Sequence, residues 1–419
     1  MGEDTMGRRT RRLAGTVLAA AVAVTLTGAA GSAAAAPLTG PVYVPAGGAV
    51  KDRYIVTLKD DAGPAALASD SVTDRYGGEV VHSYGTALHG FALRATETQA
   101  RRLAADPRVA RVEADAVAYG TTSRPYPLWN LDLVDQRSSV LDDMYSYPDS
   151  AGSGVTAYVM DTGIRTTHSQ FGGRATIGAD TVQDGWNGQD CNVDGHGTHV
   201  AGTVGGATFG IASRVSLVSV RVLGCNNAGL YSEIIAGVDW ITQNGVHPAV
   251  VNMSLGGSRS TALDTAVTNS INAGFTYVVA AGNWNANACD YSPAAVPGAI
   301  TVGASNSIGE RATGWGGTQS GSDYGTCVDL FAPGQEIRSA HNATDNATRV
   351  LKGTSMAAPH VAGAAALLLA DQPTLTPAQV AAALTAGATP GALRADTLLG
   401  SPNRLLHVEH PPVESLRRR

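Results

Sequence analysis

The sequence predicts an α/β fold, a mostly parallel sheet flanked by helices, with a small α+β domain in front of it. Three observations carry that expectation. From Trp129 onward, near-continuous apolar runs alternate with amphipathic helical stretches, the pattern of parallel strands buried on both faces. Between residues 53 and 119 the pattern moves from period two to helical and back within a unit large enough to fold by itself. With 419 residues, 44% hydrophobic and 15% charged, the chain has material for one large domain and one smaller one.

At the N-terminus, Arg8, Arg9, Arg11 and Arg12 precede an apolar run over 13–26 and a small-residue stretch over 28–36, the layout of a secretory signal. Residues 1–35 are assigned to that signal, with the cut after Ala34 or Ala35, and secretion is expected. The apolar run is too short to span a bilayer, so no membrane partner is expected once it is removed. A Pro/Gly-rich connector covers 36–52. Residues 53–60 alternate as a strand, 63–76 and 97–105 read as helices, and 90–95 and 108–119 as further strands, making 53–119 a βαβ-βαβ-like unit. A polar joint, TTSRPYP over 121–127, leads into the large domain, 121–406. There VTAYVMD (155–161), SLVSVRVL (216–223), AVVNMSLG (249–256), TYVVAAGN (276–283) and AITVGAS (299–305) read as buried strands. Residues 232–244 place Ile234, Ile235, Val238 and Ile241 on one helical face, and the helix over 262–273 stops at Gly274. Thr376, Pro377 and Gln379 open a late helix through a capping box. The tail, 407–419, reads as a solvated extension.

A net charge of −6 gives no basic footprint for nucleic acid, so the expected partners are proteins or small molecules. Four cysteines form an even set in an exported chain, which predicts two disulfides. Pairing neighbours, Cys191–Cys225 and Cys289–Cys327, would close loops contributing about 3–4 kcal/mol each in the chain-entropy model. Three connectivities are open at this point, and no CxxC spacing supports zinc.

The chemistry gathers where the strands end. In an open parallel sheet, ligands bind outside the carboxyl ends of the strands. Asp161-Thr162-Gly163, Ser254-Leu255-Gly256 and Ala281-Gly282-Asn283 fall there, while GHGTHVAG and GTSMAAPHVAG open helices. His196 and His199 are three apart with no neighbouring Glu, which does not fit the zincin helix. A Ser at a helix start is often only an N-cap. Here, however, a carboxylate and an imidazole are available at the same sheet edge. Ser355 needs a base to become a nucleophile, His196 can take its proton, and Asp161 can orient the ring. His199 and His360 read as hydrogen-bonded helix residues. The DTG at Asp161 also suggests an aspartic protease, but that class needs two such loops. An α/β-hydrolase reading of Gly353 to Ser355 needs its Asp and His downstream, leaving only Asp371, Asp396 and His407. A non-catalytic binding module would usually lack a triad member or an oxyanion donor, and all are present.

Asp161, His196 and Ser355 occur in the subtilisin order. Together DTGIRTTH, DGHGTHVAGT, NMSLGG, AAGN, SPNRLL and GTSMAAPHVAG resemble the subtilase family, its proteinase K branch and within it the aqualysin-like secreted enzymes, over 129–406. The resemblance implies a subtilisin-like fold and a serine endopeptidase that needs no cofactor for its chemistry. It implies an oxyanion hole of Asn283 and the Ser355 N–H, substrate pairing along Ser254, Leu255 and Gly256, and a specificity pocket containing Ala280, Ala281 and Gly282. No acidic residue lies in those segments, so apolar or aromatic preference is expected. Residues 53–119 resemble an inhibitory propeptide, with self-processing near Gly120–Thr121. Structural calcium is implied at the carbonyls of Pro297 and Ala299 beside Asp329. A monomer is expected. Two departures stand out: 313–327 is longer and richer in Gly and Ser than the family's Phe-Ser-Asn-Tyr-Gly segment, and Trp129-Asn130 replaces Trp-Gly, with Leu128 as an insertion.

Overall fold

A computed structural model describes residues 39–44, 49–116, 121–125, 127–317 and 320–408. The expected signal, residues 36–38 and 45–48 of the connector, residues 117–120 up to the expected processing point and the tail from 409 onward lie outside the described residues.

Residues 42–114 build a five-stranded sheet in the order Val42–Tyr43, Val109–Ala114, Arg53–Leu58, Gly90–Arg94, Glu79–Tyr84. Tyr54, Val56 and Leu58 alternate inward from the central strand and meet Val72, Phe91, Leu93, Leu103 and Val112. The helices Ala65–Tyr76 and Glu97–Leu103 cover the sheet. Thr96 and Gln99 cap the second helix reciprocally, the Thr96 N–H donating to Gln99 Oε1 at 2.9 Å. Two strands differ from the sequence expectation. Glu79–Tyr84 is an edge strand with half-exposed residues and no apolar alternation to announce it. Val42–Tyr43, inside the expected connector, pairs in parallel with the last strand.

The large domain is built on a nine-stranded sheet in the order Thr389–Pro390, Arg404–Leu405, Leu330–Pro333, Ile300–Ser305, Thr276–Ala280, Ala249–Met253, Thr156–Asp161, Ser216–Arg221, Ala175–Asp180. All neighbours run parallel except the first pair. Strand Thr156–Asp161 feeds both faces: Ala157 and Val159 enter one core, Tyr158 and Met160 the other. On the first face lie His196–Gly205, Thr354–Asp371 and Pro377–Gly387; on the second, Tyr231–Asn244 and Thr261–Asn272. Thr354 to Leu369 are all buried, which explains why that helix is apolar all round instead of amphipathic. Among the described residues no helix is long and apolar enough to cross a membrane.

Two expectations need correction. The joint after residue 120 is a strand, Thr121–Pro125, antiparallel to Met144–Pro148. The tail does not begin at 407: His407 and Val408 are buried, and the Val408 N–H donates to Val134 O at 2.7 Å. The apolar runs at 249–256 and 276–283 stop being strand at Met253 and Ala280, so their last residues leave the sheet at its carboxyl edge. From Thr156–Asp161 the chain moves to one side of the sheet and later returns to the other, opening a crevice at that strand's carboxyl end.

Candidate active site

Asp161 is the last residue of its strand and is buried, with Oδ1 accepting the Thr162 N–H at 2.7 Å. The same oxygen lies 2.7 Å from His196 Nδ1. A carboxylate can only accept here, so Nδ1 carries the hydrogen and Nε2 keeps its lone pair. His196 opens its helix directly after Gly195, whose φ of 62° an L side chain rarely adopts. Gly197 has no room for a Cβ, which would collide with the Gly163 carbonyl. Burial of His196 works against its cation. The Asp161 carboxylate and hydrogen bond, with Asp190 and Asp194 further out, outweigh that and hold its pKa above the ordinary value of 6.5.

Asp190 was not singled out by sequence reasoning, yet it ties the two segments together. Its Oδ1 accepts from Thr162 Oγ1 at 2.9 Å, and its Oδ2 from the Thr198 N–H at 3.0 Å and Thr198 Oγ1 at 2.6 Å. Thr162 Oγ1 in turn accepts the Gly197 N–H at 2.9 Å. The signal available was only an acid close to the GHGTH motif.

Ser355 is the second residue of its helix. Its hydroxyl donates to Ser254 O at 3.1 Å and not to the imidazole, so the attack geometry requires a turn about its side-chain bond. Four residues on, Pro359 has no N–H to give the Ser355 carbonyl. Ser254 Oγ fills that vacancy at 2.8 Å and itself accepts from Asn252 Nδ2 at 2.9 Å. At the helix start, the Thr354 N–H goes to Asn283 Oδ1 at 2.9 Å and the Met356 N–H to Gly353 O at 3.0 Å. Among the described residues the Ser355 N–H has no acceptor. Because Asn283 Oδ1 also accepts from Thr354 Oγ1 at 2.9 Å, the amide orientation is fixed and its NH₂ faces away from those donors.

A cavity of about 290 Å³ beside Ser355 is lined by Ser254, Leu255, Gly256, Ala280, Gly282 and Asn283, with Tyr231, Ile234 and Trp284 among its other walls. Ala281, expected in the pocket, is instead turned into the core and donates its N–H to Val302 O at 3.0 Å. Trp284 stacks on Tyr291 with ring centroids 4.4 Å apart. A larger concavity of about 640 Å³ between Arg137 and Arg394 touches none of the predicted site residues.

His199 and His360 have structural surroundings. His199 Nε2 meets Ile337 O at 2.9 Å, and burial pushes its pKa down to about 3. His360 Nδ1 donates to Met356 O at 2.8 Å while Nε2 accepts from Asn130 Nδ2 at 2.8 Å, and burial pushes it down to about 4. The unusual Asn130 is thus a partner for His360. Disulfides join Cys191 to Cys225 and Cys289 to Cys327, with sulfurs 2.00 and 2.09 Å apart. The first braces the loop before His196, where Asn192 Nδ2 donates to Cys225 O at 2.9 Å.

For calcium, Pro297 and Ala299 precede strand Ile300–Ser305, and Asp329 precedes its neighbour Leu330–Pro333. Asp329 Oδ2 accepts the Thr301 N–H at 2.8 Å, and burial raises its pKa. Among the described residues no hydrogen bond falls on the Pro297 carbonyl. A carboxylate and backbone carbonyls are oxygen donors of the kind a hard cation takes.

A carboxylate-oriented imidazole and a serine at a helix N-terminus, both at the carboxyl edge of a parallel sheet, point to a class, the hydrolases that work by acyl transfer to serine. The chain belongs to the subtilase family of serine endopeptidases: residues 152–403 match that family, and residues 53–119 match the family described as peptidase inhibitor I9. It is 48% identical over 398 residues to an extracellular serine proteinase of Thermus sp. (strain Rt41A), covering 90% of this chain and 94% of that protein. An alkaline serine exoprotease A of Vibrio alginolyticus is 42% identical, covering 86% of this chain and 68% of the relative. The crystal structure of a cold adapted subtilisin-like serine proteinase superposes with a TM-score of 0.63 at 48% identity, spanning 68% of this chain and 99% of the other. The domain before residue 120 is accordingly the enzyme's own inhibitor, and proteins are its substrates.

Proposed function

We propose that Asp161, His196 and Ser355 hydrolyse peptide bonds through an acyl-enzyme. The observation that carries this is the 2.7 Å contact between His196 and Asp161, with the Ser355 N–H and the Asn283 amide both left for a ligand. Ser355 Oγ turns from Ser254 O to His196 Nε2, gives up its proton and attacks the scissile carbonyl carbon. The resulting oxyanion accepts from the Ser355 N–H and Asn283 Nδ2. Collapse breaks the C–N bond while His196 returns the proton to the leaving amine. Water then repeats the sequence on the acyl-enzyme. Asp161 keeps the imidazole in the required tautomer throughout.

The substrate is an extended peptide paired along Ser254 to Gly256, its side chain before the scissile bond entering the cavity bounded by Ala280 and Gly282. Those walls are apolar, which supports broad cleavage after apolar or aromatic residues. The chain is made with a signal over 1–35, and 53–119 inhibits 121–408 until the Gly120–Thr121 bond is cut by the enzyme itself. Secretion agrees with the extracellular relative. Structural calcium held by Pro297, Ala299 and Asp329 would tie two strand starts together. The enzyme acts as a monomer.

A fluorophosphonate probe tests the central step. The mature enzyme is expected to gain one adduct on Ser355, and Ser355→Ala none. An unlabelled but folded wild-type protein overturns the reading. A peptide library cut mainly after Lys or Arg would overturn the specificity.

A further inference from the structure

The segment carrying Asn283 has its own clamp, and the jaws belong to one residue. Asp323 is fully buried beneath the turn from Gly282 to Ala286. Its backbone N–H donates to Gly282 O at 2.8 Å, and its carboxylate Oδ1 accepts the Trp284 N–H at 2.8 Å. Asp323 therefore holds the peptide groups on both sides of Asn283. The same Oδ1 accepts the Ala286 N–H at 2.9 Å. Neighbouring backbone extends the grip: the Gly321 N–H donates to Asn283 O at 3.3 Å and the Asn285 N–H to Gly321 O at 3.0 Å. Arg311 closes the far side, donating to Asn285 Oδ1 at 2.8 Å and to Ser322 O.

Asp323 Oδ2 is buried without a partner and lies so close to Gly282 that a Cβ there would strike it. Burial pushes the Asp323 pKa up to about 6, against the N–H groups of Ala286 and Trp284 and the Arg311 cation. A half-satisfied buried carboxyl is a costly way to fill space, so the bonds it does make must matter.

We infer that Asp323 is a positioning residue for the oxyanion hole: by gripping the chain before and after Asn283 it aims the Asn283 amide at the developing oxyanion. This rests on the triad reading above. The carboxyl touches neither substrate nor reacting atoms, so its effect passes through Asn283 alone. An amide at position 323 keeps an oxygen for the Trp284 and Ala286 donors, whereas a methyl group does not.

The test is a kinetic cycle on the mature enzyme with Asp323→Ala, Asp323→Asn, Asn283→Ala and the Asp323→Ala/Asn283→Ala double variant, each normalised to sites titrated by a fluorophosphonate. Asp323→Ala is expected to lower kcat about 10- to 100-fold with KM within about threefold, part of the roughly 10²–10³ lost with an oxyanion donor. Asp323→Asn recovers most of that loss. In the Asn283→Ala background, Asp323→Ala costs less than about twofold more, because the group it aims is gone. Multiplicative losses in the double variant, an unchanged kcat per titrated site in Asp323→Ala, or equal losses in Asp323→Asn and Asp323→Ala would each overturn the inference. Titration per site keeps a poorly folding variant informative. Absence of Ser355 labelling in the wild type would instead overturn the triad reading.

Discussion

Asp161, Asp190 and Asp194 surround one imidazole, and their combined field sets when the base is available. In the proposed mechanism His196 must be neutral to accept the Ser355 proton, so raising its pKa moves the acid limb of kcat/KM upward. That limb is expected above pH 6.5, and Asp194→Asn should move it toward lower pH, read from a kcat/KM profile; a limb that stays in place removes Asp194 from the account. Asp323 gives a stability counterpart. Its folded pKa lies above the unfolded value of roughly 3.9, so its favourable contribution is present below about pH 4 and is lost as pH rises through about 6. Asp323→Asn, which cannot ionise, should therefore raise Tm more at pH 8 than at pH 5. Thermal melts at the two values check the sign. Asp190 and Asp323 share a lesson about legibility. Motif spacing pointed to Asp161, His196 and Ser355, because each stands in a run of distinctive neighbours. The two supporting acids stand in unremarkable company, and their role arises only from bonds to segments far along the chain.

At the scale of elements, the strands that announced themselves were those covered on both faces. Thr156–Asp161 and Ala249–Met253 must be apolar at nearly every position, so composition alone marked them. Ala175–Asp180 and Glu79–Tyr84 sit at sheet edges, half-exposed, and carried no such mark. Short pieces such as Arg404–Leu405 exist only because a neighbour offers an unpaired edge. Boundaries were overestimated wherever a loop residue continued an apolar run into the crevice. The Thr354–Asp371 helix, buried along nearly its whole length, carries Ser355 in its first turn. Leu367 is fully buried in it, and Leu367→Ala is expected to cost about 2–5 kcal/mol in denaturant unfolding. Below about 1 kcal/mol, that site would be repacking freely.

Across the whole molecule, many strand pairings join residues far apart in the sequence, the topology that folds slowly. A domain at 53–116 with its own apolar core suits a template for that sheet. In pure form, a Ser355→Ala precursor should keep the 120–121 bond intact; trimming at the normal rate would exclude self-processing. Chelation of the mature enzyme should lower Tm, and an unchanged melt would remove calcium from the structural account. The two-domain order and enzyme class could be read from sequence. The strand at Thr121–Pro125 could not, because its partner Met144–Pro148 lies across an intervening helix. That strand has a consequence for timing. A break at the proposed 120–121 bond leaves the pairing of Thr121–Pro125 with Met144–Pro148 in place. On the proposed cut, the inhibitory domain would change from a tethered group at high effective concentration to a free ligand whose occupancy falls with dilution. Severing the backbone thus starts a clock, and the surrounding volume sets how fast it runs.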